Sequence, residues 1–202
     1  MEFFAGLGLG LSLIVAIGAQ NVFVLRQGLR KEHVWVVVAI CAVSDLVLIL
    51  AGVSGLGVVV ERLPWLEVFA RYAGAAFLAV YGALAARRAL SKGDQALDPT
   101  AKQAAPAALW SVAGTALALT WLNPHVYLDT VFLLGSIASS YGDARWLFAA
   151  GAGTGSLLWF TALGYGARLL SRWLVAPRSW RVLDGFIALV MWTIAVSLVL
   201  GA

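Results

Sequence analysis

The sequence is short of charge and almost without cysteine. Asp, Glu, Lys and Arg make up 12% of its 202 residues, while 62% are hydrophobic. A water-soluble domain of that composition would expose apolar surface far beyond what stays dispersed, so that class is excluded. The one cysteine, Cys41, rules out a disulfide framework and a Cys-based metal site; it reads as a small packing residue in an apolar run. With two histidines and two methionines in the chain, a soft-metal cluster lacks ligands, and no metal is expected. The net charge of +4 does not imply a nucleic-acid partner. The basic residues fall between apolar runs, where membrane topology accounts for them. No cofactor is expected either: the glycines of GLGLG (Gly6 to Gly10) and GAGTG (Gly151 to Gly155) suit close helix packing better than phosphate binding.

Long apolar runs are what the chain has instead. They predict an all-α, polytopic membrane protein with six spans at roughly 3–25, 34–60, 66–87, 107–136, 145–168 and 181–201. The first run, MEFFAGLGLGLSLIVAIGAQN, lacks a basic leader and carries Glu2, so it reads as a retained span rather than a signal peptide. One long polar stretch, Arg87 to Pro106, contains Gly93, Pro99 and Pro106 and reads as a cytoplasmic linker. It separates a three-helix unit, 1–86, from a second, 107–202. Arg26, Arg30 and Lys31 follow span 1; Arg87, Arg88, Lys92 and Lys102 lie in the linker; Arg168, Arg172, Arg178 and Arg181 follow span 5. Eleven of the fourteen basic residues thus fall on one side, which predicts that side to be cytoplasmic and both termini to lie outside.

The halves echo each other. Gln20-Asn21-Val22-Phe23 in span 1 can be laid over Pro124-His125-Val126-Tyr127 in span 4, and Arg71 with Gly74 in span 3 over Arg181 with Gly185 in span 6. Three spans per half force the two units into opposite orientations, so they read as inverted repeats. In secondary transporters such repeats enclose the substrate site at interrupted helices.

Polar residues at membrane depth mark where that site would be. TWLNPHVYLDT, Thr120 to Thr130, puts Asn123, Pro124, His125 and Asp129 into an apolar run. Pro124 removes a backbone donor, and the carbonyls it frees need a partner or a water-lined cavity. Gly18 with Gln20 and Asn21 forms the corresponding weak point in span 1. A plain kink would explain either position alone; the matched pair favours two functional helix breaks. Asp45 lies about 16 Å into span 2 by helical rise, where an aspartate opposes insertion by roughly 2.5–3.5 kcal/mol. Asp129 follows His125 by one helical turn, which suits a structural hydrogen bond, a proton relay or a ligand site. Asp184, beside cationic residues at the end of span 6, reads as an ion pair. Trp121 and Tyr127 flank the break in span 4, where they could stack on a cation or simply pack.

Gly18-Ala19-Gln20-Asn21, then Arg26-Gln27-Gly28-Leu29-Arg30, an Asp in span 2 and WLNPHVYLDT in span 4 together resemble the LysE family of basic amino-acid exporters. The resemblance spans nearly the whole chain, and Gly-Ala-Gln stands where related neutral amino-acid exporters are expected to carry Pro-Gly-Pro. It implies a non-enzymatic efflux protein of the bacterial inner membrane, moving L-lysine and L-arginine by proton antiport or the membrane potential. Gln20, Asn21, Asp45, Asn123, Pro124 and Asp129 are the positions it carries over.

The chemistry of the residues suits that substrate. Asp45 and Asp129 would neutralise two cationic groups and are the proton-coupling candidates; His125 is grouped with them. The amides of Gln20 and Asn21, with N–H groups freed at the breaks, would receive a carboxylate. The expected partners are the amino acid and the lipid bilayer, and small-residue faces are compatible with a homodimer. Export of a neutral amino acid or another small cation is the alternative. An intramembrane aspartyl enzyme fits less well, since neither acid lies in a Gly-x-Gly-Asp sequence.

Overall fold

The structure is a computed structural model that describes residues 1–16, 18–55, 64–91, 108–170 and 177–200, and every regular element among them is helical. Helix α1 (Glu2–Ile14) is followed by α2 (Ala19–Arg30), α3 (Val34–Val53), α4 (Pro64–Leu90) and α5 (Leu109–Trp121). Next, α6 (Pro124–Val126) runs through a π-helical stretch, Tyr127–Leu133, into α7 (Leu134–Ser139). A 3₁₀ turn at Gly142–Ala144 leads to α8 (Arg145–Leu170), and α9 (Pro177–Leu200) is last.

Helices α3, α4, α8 and α9 are each long and apolar enough to cross a bilayer. The axes of α1 and α2 diverge by 83°, and the two together are long and apolar enough for a broken span or a re-entrant loop. The remaining predicted span is divided too: α5 has 13 residues, about 20 Å of rise, too short to cross alone. The protein is a multi-pass membrane protein.

Several boundaries differ from the expected ones. Span 1 was expected to end at residue 25 with Arg26 and Arg30 in a loop, yet α2 carries both and stops at Lys31, which takes a left-handed conformation (φ 58°). The reason is a partner for the charge: Arg26 is buried at 7% exposure against Asp184, so it need not leave the helix. At the linker, α4 continues through Arg87 and Arg88 to Leu90; basic residues in a last turn favour the helix dipole. The rest of the linker, from Lys92, lies outside the described residues. Helix α3 ends at Val53, so 56–60 of the second expected span also lie outside them.

Packing relies on glycine where backbones touch. A methyl group at Gly6 would strike the Phe148 carbonyl, one at Gly151 would strike that of Phe3, and one at Gly10 would sit 2.9 Å from the Ala152 Cα. The two glycine-rich stretches therefore face each other across the α1–α8 contact. Where α3 crosses the fourth span, a Cβ on Gly135 would come within 2.7 Å of the Gly52 carbonyl. Without a hydrophobic drive in lipid, such close approach is what holds helices together. The first span packs on α8, the broken fourth span on α3, and α4 on α9.

At one end of the bundle, Asp184 Oδ1 accepts from Arg26 Nε at 3.3 Å and from Arg88 Nε at 3.2 Å, tying α2, α4 and α9 together. Near the far end of α9, Arg71 donates to the carbonyls of Leu198 and Val199.

Two predictions test this packing. Gly151→Leu should lower the unfolding midpoint in detergent, at a cost of about 1–3 kcal/mol, whereas Gly8→Leu, with open space around its Cα, should leave it unchanged. Asp184→Asn should cost about 3 kcal/mol by stranding a buried guanidinium. Glu32→Gln, which breaks the more exposed pair with Arg30, should cost less than about 1 kcal/mol. Thermal unfolding followed by tryptophan fluorescence measures all four.

Candidate binding site at the helix breaks

The first break is held by one side chain. Asn21 Nδ2 donates to the carbonyls of Ile14 and Ala16, both at 2.7 Å, and its Oδ1 accepts from Trp159 Nε1 at 3.2 Å. Helix α1 leaves carbonyls without helical partners where it ends, and Asn21 reaches back to take two of them. Trp159 locks that amide from α8.

The second break uses different chemistry. Asn123 is extended and caps α6, its Oδ1 accepting from the His125 N–H at 3.1 Å. Pro124 takes the first helical position, where a missing N–H costs nothing. The proline therefore begins the second piece rather than kinking a continuous helix. Tyr127 Oη donates to the Trp121 carbonyl at 2.8 Å, and Trp121 Nε1 donates to Ser44 Oγ at 3.1 Å. Both aromatics of the motif thus have structural bonds at the break.

Between and around the breaks lies a cavity of about 250 Å³. Gly18, Gln20 and Asn21 line it from the first break, Asp45 and Ile49 from α3, and Asn123, His125 and Asp129 from the fourth span. Ala152 and Ser156 contribute from α8, Ile194 and Ser197 from α9. All six polar residues singled out in the sequence as site candidates therefore line one cavity. Pro124 is buried behind it.

The two acids differ in setting. Cys41, Asp45, Leu48 and Gly52 share the buried face of α3, while Val43, Leu46, Val47 and Leu50 are exposed on the other side. Asp45 is 5% exposed, and its Oδ2 accepts from Ser156 Oγ at 3.0 Å. Asp129 is half-buried in the π-helical stretch, a geometry common at functional sites. Among the described residues no lysine or arginine pairs with either acid. A carboxylate at that depth without a cation is costly.

Sequence reasoning missed Ser156. It sits in the glycine stretch GAGTGS, where a small hydroxyl looks like part of a packing surface, and only the fold reveals its bond to Asp45. Thr130 and Ser197 were missed as well, but their hydroxyls donate back to the carbonyls of Val126 and Ile194.

Comparison with known proteins bears on this arrangement. The family profile described as LysE type translocator matches residues 11–202. A putative amino-acid transporter of Mycobacterium bovis is 46% identical over 92% of this chain and 90% of its own. An arginine exporter protein, ArgO, of Pectobacterium carotovorum is 41% identical over 97% and 95%. A lysine exporter, LysE, of Corynebacterium efficiens is 38% identical over 99% of each chain. No solved structure matches. A family profile over most of the chain and relatives at this identity leave one assignment: the chain belongs to the LysE type translocator family and is a transporter rather than an enzyme.

Proposed function

We propose that the protein exports L-lysine and L-arginine across the bacterial inner membrane, and that the cavity at the two breaks is the substrate site. One observation carries the reading: Asp45 and Asp129 line the same cavity, and no lysine or arginine among the described residues pairs with either. Two buried acids need positive charge, and lysine or arginine brings an α-ammonium and a cationic side chain. The arginine exporter and lysine exporter among the relatives support the same substrate class.

Asp45, deeper and held by Ser156, is the fixed cation site, and Asp129, on the irregular π-helical stretch, is the adaptable one. His125 stands on the same wall. Asn21 and Asn123 keep the breaks open, which is a positioning role rather than direct contact.

Energetics sets the coupling. An inside-negative potential opposes outward movement of a net cation by roughly 2.3 kcal/mol per 100 mV. Export against it needs an ion moving inward. A proton that binds Asp45 or Asp129 displaces the substrate cation from the same oxygens, so antiport follows from competition for one carboxylate. One proton inward for each lysine outward is electroneutral, which removes the opposing potential. The basic segments after the first, third and fifth spans face the cytoplasm in this reading, with both termini outside.

The test of the site is counterflow of labelled lysine in proteoliposomes. Loss of a close charge pair in a partly dry site costs about 2–5 kcal/mol, so Asp45→Asn and Asp129→Asn should each slow exchange by roughly 30-fold or more. Normal exchange in either variant overturns the cation-site assignment, and exchange of threonine but not lysine or arginine overturns the substrate. For the coupling ion, collapse of an imposed pH gradient should stop uphill export while exchange continues. A reporter enzyme fused after the last residue should be active only on the extracytoplasmic side.

A further inference from the structure

Serine and threonine hydroxyls inside helices commonly donate to a carbonyl three or four residues back in the same helix. Ser12, Thr115, Thr120, Thr130 and Ser197 all do so. On α8 itself, Thr154 Oγ1 donates to the Ala150 carbonyl at 2.7 Å. Ser156, two residues further on, does not. Its hydroxyl leaves the Ala152 carbonyl one turn back and donates across the helix contact to Asp45 Oδ2 at 3.0 Å.

Glycine makes that reach possible. A Cβ on Gly153 would sit 3.0 Å from Leu46 Cδ1 on α3, next in the chain to Asp45. One on Gly155 would sit 3.3 Å from the Leu7 carbonyl of α1. Bare backbone at both positions lets α8 lie close against α1 and α3, and Ser156 comes within one hydrogen bond of the acid. Ser156 is 2% exposed and Asp45 5%, and both line the cavity.

A hydroxyl donor favours the charged form of a carboxylate over the protonated one, and bonds to an ionised oxygen belong to the stronger class. The bond from Ser156 therefore works against a proton at Asp45 and keeps the acid ready for a cation. When a proton does arrive, the Ala152 carbonyl is a second acceptor of the kind that Thr154 uses, so Ser156 can let go without stranding its own hydrogen.

No lysine or arginine among the described residues does this work instead. Cys41 lies one turn from Asp45 on α3, and His125 and Asp129 face the same cavity from the fourth span. Helix α2 brings the neutral Gln20 and Asn21 to that cavity, while its Arg26 is taken by Asp184. The titratable residues of α8 are Arg145, Tyr165 and Arg168, roughly 13 Å or more along the helix from Ser156. Helices α5 and α7, which also pack on α3, carry no titratable residue.

We infer that Ser156 is a positioning residue for ion coupling: it holds Asp45 in the cation-binding form and sets how acid the medium must be before a proton displaces the substrate. This rests on the functional reading above and deepens it. Asp45 is where proton and cation compete, and Ser156 biases the contest toward the cation.

The test is lysine counterflow by the full chain in proteoliposomes, with equal pH on both sides, across a range of pH. Exchange by the wild type should fall as the medium is made acid. Without the donor the proton competes better, so in Ser156→Ala the midpoint of that fall should move up by about one to two pH units, and exchange should recover in alkaline medium. Thr154→Ala, which removes a hydroxyl bonded within its own helix, should keep the wild-type midpoint. Ser156→Cys, a weaker donor, should shift the midpoint the same way, and it decides the matter if Ser156→Ala does not give a folded protein on gel filtration. A wild-type midpoint in the folded Ser156 variant overturns the role given to Ser156 and leaves the exporter reading intact. A second readout needs no transport: infrared titration of the Asp45 carboxyl band in detergent, the band being identified by its loss in Asp45→Asn. Its midpoint should rise in the Ser156 variant, and an unchanged midpoint overturns the inference. Absence of lysine and arginine exchange by the wild type at every pH overturns the exporter reading, and with it the coupling role inferred for Ser156.

Discussion

A backbone carbonyl or N–H left bare in hydrocarbon costs several kcal/mol, so a helix stops within a membrane only where other groups take over its bonds. Everything particular about this protein follows from how it meets that condition twice. At the first break Asn21 reaches back to the carbonyls of Ile14, the last residue of the preceding helix, and of Ala16 just beyond it, and Trp159 fixes the amide that does so. At the second, Tyr127 takes the Trp121 carbonyl, Asn123 takes the His125 N–H, and Pro124 has no N–H to satisfy. Because the bonds are met by side chains, the helices can turn aside and leave room for a cavity. The space between the breaks is a consequence of the caps.

The caps also make the two breaks unequal. The second consumes its donors, whereas the first takes up carbonyls and leaves the N–H groups of α2 without acceptors among the described residues. The two breaks therefore offer different groups to the cavity between them. The acids favour positive charge along the other walls. A basic amino acid, the substrate proposed above, carries charge of both signs.

Much of this was legible in the chain. Apolar run lengths gave the helical membrane class, Pro124 and Gly18 located the breaks, and the depth of Asp45 singled out a residue that lines the cavity. The glycines of GLGLG and GAGTG were read as packing residues, and they meet each other across α1 and α8. Other features depend on contacts between distant segments, which local pattern does not carry. Gln20 and Asn21 are adjacent amides of one chemical type, yet one is committed to the backbone and the other is not; only the direction of each side chain separates them. Arg26 looked like a loop residue because a charge ends an apolar run, but Asp184, 158 positions away, lets it stay in the helix. Ser156 looked like filler among glycines for the same reason.

The clearest contrast within the molecule is among its own aspartates. Asp184 and Asp45 are nearly equally buried, at 7% and 5% exposure. Asp184 accepts from two guanidinium groups and fastens three helices; the attraction it gains is set against the cost of drying all three charges, and the cluster has no reason to open onto a cavity. Asp45 accepts from one serine hydroxyl, which orients a carboxylate but supplies no charge. If burial alone were the function of these acids, a paired arrangement would serve both positions better, and the basic residues to provide it are present in the chain. Among the described residues, however, no lysine or arginine lines the cavity that Asp45 and Asp129 share. In the function proposed above, positive charge at that depth arrives with the ligand or as a proton. On the proposed reading, that competition for one carboxylate makes Asp45 a coupling site as well as a binding one.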